Sequence, residues 1–226
     1  MDRRAPSDTI IPTMFSPPHL RSPFLWSHMR VGLLGGSFNP AHTGHVHAAE
    51  VAMKYLNLDA VWWVVSTGNP FKREQDLLPL TTRMDQCRDL TAHNPRHVIT
   101  DIESQMGTVR TFDTISQLKQ HFPKTEFIWL AGTDIAFEFH KWHYAREIID
   151  MIPFAFIGRP TRHGLVRSNF FRRQSGLTHN TLNSGINADL SAGQIYWLFG
   201  EPLRDISSTD LRRFRTAKRY YGMKYA

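Results

Sequence analysis

The chain has 226 residues, 41% of them hydrophobic and 21% charged, with a formal net charge of +7. That length and balance fit one domain with a sizeable core and exclude wholesale disorder. A single cysteine, Cys87, excludes an internal disulfide framework and points to a reducing compartment, the cytoplasm by default. No apolar run approaches the roughly 18 residues needed to span a bilayer, so no membrane partner is expected.

The proline-rich residues 1 to 29 show few periodic apolar positions and read as an extended or disordered leader outside the fold, with Met29 as a candidate start. Residues 30 to 226 then read as a single domain. Val31-Gly32-Leu33-Leu34 forms a strand, followed by a glycine-rich turn and a helix with Val46, Ala49, Met53 and Leu56 on one face. The alternation continues with a strand at 60–65, a helix at 81–90, a short strand at 97–100, and a helix at 111–120. It is completed by a strand at 127–131, a helix at 142–149 and a strand at 154–157. Repeated βα units predict an α/β fold with a doubly wound parallel sheet, Rossmann-like in outline. Residues 161 to 190 interrupt the pattern and read as a long loop or insertion, after which 195–199 restores a strand and 208–217 a terminal helix.

The positive excess attracts phosphates, whether of nucleotides or of nucleic acids. Much of it lies in Arg159, Arg162, Arg167, Arg172 and Arg173, and again in Arg212, Arg213, Arg215, Lys218 and Arg219. The first cluster reads as a solvated basic face.

The chemistry concentrates in the first βα connection, Gly35-Gly36-Ser37-Phe38-Asn39-Pro40-Ala41-His42-Thr43-Gly44-His45. Ligands of doubly wound sheets bind at such strand ends, where glycine allows close backbone approach and the following helix aims its amides at an anion. His42 and His45, three apart, share one helical face and can donate to one phosphate. The competing readings are a pair of metal ligands or a merely polar helix start. With one cysteine and scattered histidines the chain lacks a third and fourth ligand at zinc spacing, so no metal site is expected.

Gly36 to His45 resembles the nucleotidylyltransferase signature G-x-F-x-P-x-H-x-G-H without a gap, and Ile206-Ser207-Ser208-Thr209-Asp210-Leu211-Arg212 resembles that superfamily's I-S-S-T-x-x-R. Physically, the second motif is a helix N-cap able to meet outer phosphates, with Arg212 one turn on to neutralise charge; alone it reads equally as an ordinary cap with a surface arginine. Asn69-Pro70-Phe71-Lys72, Glu103 with the segment Gly107 to Thr114, Gly132-Thr133-Asp134 and Trp142 resemble the nicotinate-nucleotide branch. Arg110 stands where that branch carries tyrosine, and Arg159 where it carries an R-P pair.

The resemblance implies transfer of AMP from ATP to nicotinate mononucleotide, with Mg²⁺ accompanying the ATP and no nucleic-acid partner. His45 and His42 are the implied catalytic residues, and Gly36, Ser37, Phe38, His42, His45, Ser207, Ser208, Thr209 and Arg212 the implied ATP contacts. Asn39, Lys72, Thr111, Asp134 and Trp142 are the implied mononucleotide contacts. Of these, Lys72 reads alternatively as a surface lysine, Asp134 as a helix cap and Trp142 as core packing. A related enzyme acting on nicotinamide mononucleotide or phosphopantetheine shares both signatures. Nothing in the sequence specifies an oligomeric state.

Overall fold

A computed structural model describes residues 16–68, 77–158, 176–182 and 190–199. Seven strands form one sheet: β1 (Arg30–Gly36), β2 (Ala60–Val65), β3 (His97–Thr100), β4 (Glu126–Gly132), β5 (Phe154–Ile157), β6 (Thr178–Leu182) and β7 (Gln194–Leu198). Their order is β3-β2-β1-β4-β5-β7-β6 and every neighbouring pair is parallel.

A parallel sheet must be covered on both faces, and alternate residues supply two separate cores. Leu33, Trp62, Val64, Phe127, Trp129, Phe154, Phe156 and Trp197 form one with Ile115 and Leu118 of α4 (Thr111–His121) and Ile148 and Ile149 of α5 (Ala145–Met151). On the other face, Leu34, Trp63, Val65, Ile128, Leu130, Tyr196 and Leu198 pack with α1 (Thr43–Leu56) and α2 (Leu80–Thr91). The short α3 (Ile102–Met106) ends at Gly107, whose φ of 66° is the left-handed geometry of a helix C-cap. The doubly wound parallel fold is therefore observed as the βα alternation predicts.

Three local features differ from the sequence expectations. Within the leader, residues 16–29 pack onto the domain: Trp26 is 1% exposed and meets Trp62 edge-on with ring centroids 4.8 Å apart. The Trp26 carbonyl accepts the Thr125 hydroxyl at 2.8 Å, and the His28 amide donates to the Lys124 carbonyl at 2.7 Å. One large aromatic outweighs the weak periodicity around it, because its burial alone stabilises by about 2–3 kcal/mol. Within the stretch read as an insertion, Thr178–Leu182 is a strand; it sits at the sheet edge with only Leu182 buried, so it lacks the apolar run of a central strand. Trp142 is not in a helix: it follows a 3-10 turn at Phe139–Lys141, and α5 starts only after Tyr144, held at φ 56°.

Candidate active site

Strand order reverses between β1 and β4, since β2 and β3 lie to one side of β1 and β4 and β5 to the other. Open α/β sheets bind ligands outside the carboxyl ends at such a point. The loop following β1 and Asp134 following β4 both lie there.

Glycine lets the end of β1 fit its surroundings. A Cβ on Gly35 would overlap the Trp129 ring, and one on Gly36 would come within 3.2 Å of Phe38. Phe38, at φ 44° and 2% exposed, packs against Trp63 and the His45 ring with centroid separations of 5.1 and 5.0 Å. Its side chain props the loop from beneath.

His42 is the N-cap of α1, and its Nδ1 accepts the Gly44 amide at 3.2 Å. Reciprocally, the His42 amide donates to Nδ1 of His45 at 3.2 Å. The two rings lie 3.8 Å apart with a 30° tilt. A neutral imidazole whose Nδ1 accepts carries its proton on Nε2. Both rings are therefore set as Nε2–H donors at the positive end of one helix, an arrangement suited to an anion.

Arg83 of α2, which sequence reading passed over as one polar position of a helix, is 2% exposed and reaches this loop. It donates to the carbonyls of Ser37 at 2.8 Å, Ser66 at 2.9 Å and Leu78 at 2.8 Å. The Leu78 amide in turn donates to Oδ1 of Asn39 at 3.3 Å, so the Asn39 side chain, 6% exposed, takes part in holding the loop.

Glu103, Thr108 and Thr114 form a buried chain beneath the start of α4. The Thr114 hydroxyl donates to Glu103 Oε1 at 3.1 Å and lies 2.9 Å from the Thr108 hydroxyl. With Glu103 ionised, Thr114 has spent its only proton, so Thr108 donates to Thr114. Burial pushes the Glu103 carboxyl up to about 7, against the opposing pull of the Thr114 hydroxyl and the Thr67 backbone amide. The chain fixes the 107–110 loop, from which Arg110 emerges exposed at the N-cap of α4. A cleft of about 530 Å³ is lined there by Thr108, Val109, Arg110, Phe112 and Asp113. Thr111 opens α4, whose first turn receives no hydrogen bond from a capping side chain.

Trp142 is half-buried, edge-on to Trp129 at 6.3 Å and to Phe139 at 5.1 Å. Trp129 thus abuts both Gly35 and Trp142, and the Phe112–Tyr144 ring pair at 4.7 Å brings the start of α4 beside the same segment. Lys72, Arg159, Ser207, Ser208, Thr209 and Arg212 lie outside the described residues, as do the basic clusters.

Among the described residues, Glu50, His93 and His97 have metal-ligand spacing, their ligand atoms within 4.8 Å of one another. His97 does not suit a cation, because its Nδ1 accepts the Trp63 indole N–H at 3.1 Å and its proton therefore sits on Nε2. Burial lowers the His97 pKa to about 4, with the Glu50 charge opposing, which keeps the ring neutral. The arrangement is a packed tryptophan–histidine pair beside a surface Glu50–His93 hydrogen bond of 3.1 Å.

Residues 33–214 match the cytidylyltransferase-like family. A Cereibacter sphaeroides protein named "probable nicotinate-nucleotide adenylyltransferase" is 36% identical over 184 residues, spanning 81% of this chain and 96% of the relative. One of the same name from Methylorubrum extorquens is 45% identical over 132 residues, or 58% of this chain and 71% of the relative. The fold is also that of Plasmodium falciparum nicotinic acid mononucleotide adenylyltransferase complexed with NaAD, with TM-score 0.62, 18% identity and coverage of 83% and 84% of the two chains. The chain accordingly belongs to the cytidylyltransferase-like family and, within it, to the nicotinate-nucleotide adenylyltransferases.

Proposed function

We propose that the adjoining His42–His45 pair binds the phosphates of ATP while AMP is transferred to nicotinate mononucleotide, giving deamido-NAD and pyrophosphate in NAD biosynthesis. The observation that carries this reading is the pair of Nδ1-accepting imidazoles at the helix start, at the point where strand order reverses. In the step, an oxygen of the mononucleotide phosphate bonds to the α-phosphorus as the bond to the β-phosphate bridging oxygen breaks. The nucleophile is already ionised at neutral pH, so no general base is required. Positioning and charge stabilisation carry the reaction.

His45 donates from Nε2 to the α-phosphate. His42, the amides of Gly36 to Phe38, and Ser207, Ser208, Thr209 and Arg212 receive the leaving pyrophosphate. In this reading residues 30 to 226 act as one domain, bringing the second motif to the same phosphates. On the acceptor side, Asp134 takes ribose hydroxyls, Trp142 stacks on the pyridine ring and the Thr111 amide holds the carboxylate. Asn39 and Lys72 close the site around the mononucleotide phosphate. No carboxylate stands among residues 36 to 45, which suits Mg²⁺ held chiefly through nucleotide phosphates and water. No helix of the described residues is long and apolar enough to cross a membrane, in keeping with the cytoplasmic placement this reading adopts.

ATP labelled at the α-phosphate tests the assignment. Label passes into a dinucleotide only when mononucleotide is also present, and His45→Ala lowers kcat by about 10²–10³-fold with the fold retained. A folded His45→Ala protein with near-normal turnover contradicts the role given to His45.

A further inference from the structure

We propose that Arg83 is a positioning residue for nucleotide transfer: its buried guanidinium aims the amides of the phosphate loop and leaves a positive charge for the nucleotide to neutralise. This rests on reading the loop after β1 as the phosphate site.

Arg83 holds carbonyls from three separate segments, namely Ser37 after β1, Ser66 after β2 and Leu78 before α2. In a trans peptide the carbonyl and the next amide point in opposite directions. Drawing the Ser37 carbonyl towards Arg83 therefore turns the Phe38 amide away from it. That amide has no hydrogen-bond partner among the described residues. The same geometry applies at Ser66, whose carbonyl meets Arg83 so that the next amide, that of Thr67, points away from it. The segments after β1 and β2 are thus held by one guanidinium. Leu78 is clasped likewise, its carbonyl by Arg83 and its amide by Asn39 of the loop.

Charge supplies the second half of the argument. No carboxylate pairs with Arg83 among the described residues. A cation taken out of water without a counter-ion is costly unless something local compensates it. Three carbonyl dipoles take up three of its five N–H donors and leave its net charge standing. Phosphates arriving at the loop complete the compensation. Lysine cannot reproduce the arrangement, because its single ammonium lacks the planar fork that spans three fixed acceptors.

The test uses full-length Arg83→Met and Arg83→Lys. It measures ATP dissociation without acceptor, KM for each substrate, kcat and the melting temperature of the unliganded protein. For Arg83→Met, ATP binding weakens and kcat falls by about tenfold or more each, while KM for the mononucleotide stays within about threefold. Arg83→Lys recovers part of the ATP affinity through its charge, and its kcat stays low because the loop is no longer aimed. A folded Arg83→Met protein with ATP affinity and kcat near wild type overturns the proposal, even if its melting temperature has dropped. Should Arg83→Met aggregate, Arg83→Lys decides: unchanged ATP affinity and kcat overturn the assignment. If the wild type binds ATP but adenylylates no mononucleotide, the functional reading fails, and the loss of ATP binding in the variants still judges Arg83.

Discussion

At the scale of single residues, the site depends on where protons sit. His42 and His45 each accept a backbone amide at Nδ1, so the helix start selects the tautomer in which both rings donate from Nε2. The motif histidines were legible in the sequence because their spacing and glycine context are local. Arg83 was not, since an arginine three residues into a helix looks like a solvated position until the fold brings three carbonyls around it. The role of Glu103 as a buried acceptor was equally hidden, because its partner Thr114 lies in another element.

Glu103 carries a pH prediction. Its folded pKa of about 7 lies above the ordinary value of 4.5, so the native state binds this proton more tightly than the unfolded chain. Its contribution is present below pH 4.5 and is lost as pH rises to about 7. Glu103→Gln keeps the shape without the ionisation, and its stability relative to wild type increases across that window. Urea midpoints at several pH values measure this; parallel pH profiles for the two proteins contradict it.

At the scale of elements, the strands were legible wherever they are central. The runs of β1, β2, β4 and β5 are apolar on both faces, as a covered parallel sheet requires. The edge strand β6 was not, for Thr178–Leu182 has a single buried residue and no apolar alternation. The start of α5 was misplaced because Tyr144 leaves helical geometry in a segment whose composition suits a helix. Residues 16–29 of the leader were misjudged for the opposite reason: prolines and polar residues conceal one anchor, Trp26.

Trp26 lies against Trp62, itself in contact with Phe122 and Phe127, on the face covered by α4. Trp26→Ala is expected to lose about 3–5 kcal/mol of unfolding free energy. A chain begun at Met29 also loses the Thr125 and Lys124 hydrogen bonds and is destabilised at least as much. Denaturant unfolding of the two variants checks this, and wild-type midpoints in either overturn the account of residues 16–29. The loop after β1 lies at the carboxyl ends of the strands, so Trp26→Ala is expected to lower stability with little change in KM.

At the scale of the whole molecule, one sheet supports both halves of the site. The reversal of strand order sets the ends of β1 and β4 side by side, and the absence of a Cβ at Gly35 admits Trp129, which backs both the end of β1 and Trp142. In the proposed reading, donor and acceptor nucleotides are placed by the same packed ring. Substrate choice in that reading resides in the loop from Gly107 to Thr111 with the exposed Arg110.

Pyrophosphate release by the purified full-length protein with Mg-ATP, offering nicotinate mononucleotide, nicotinamide mononucleotide or phosphopantetheine, tests the central claim most directly. The account predicts release in all cases to be fastest with the nicotinate form, the carboxylate being the group the uncapped start of α4 is placed to hold. Preference for either other acceptor, or no release with any of the three, contradicts it.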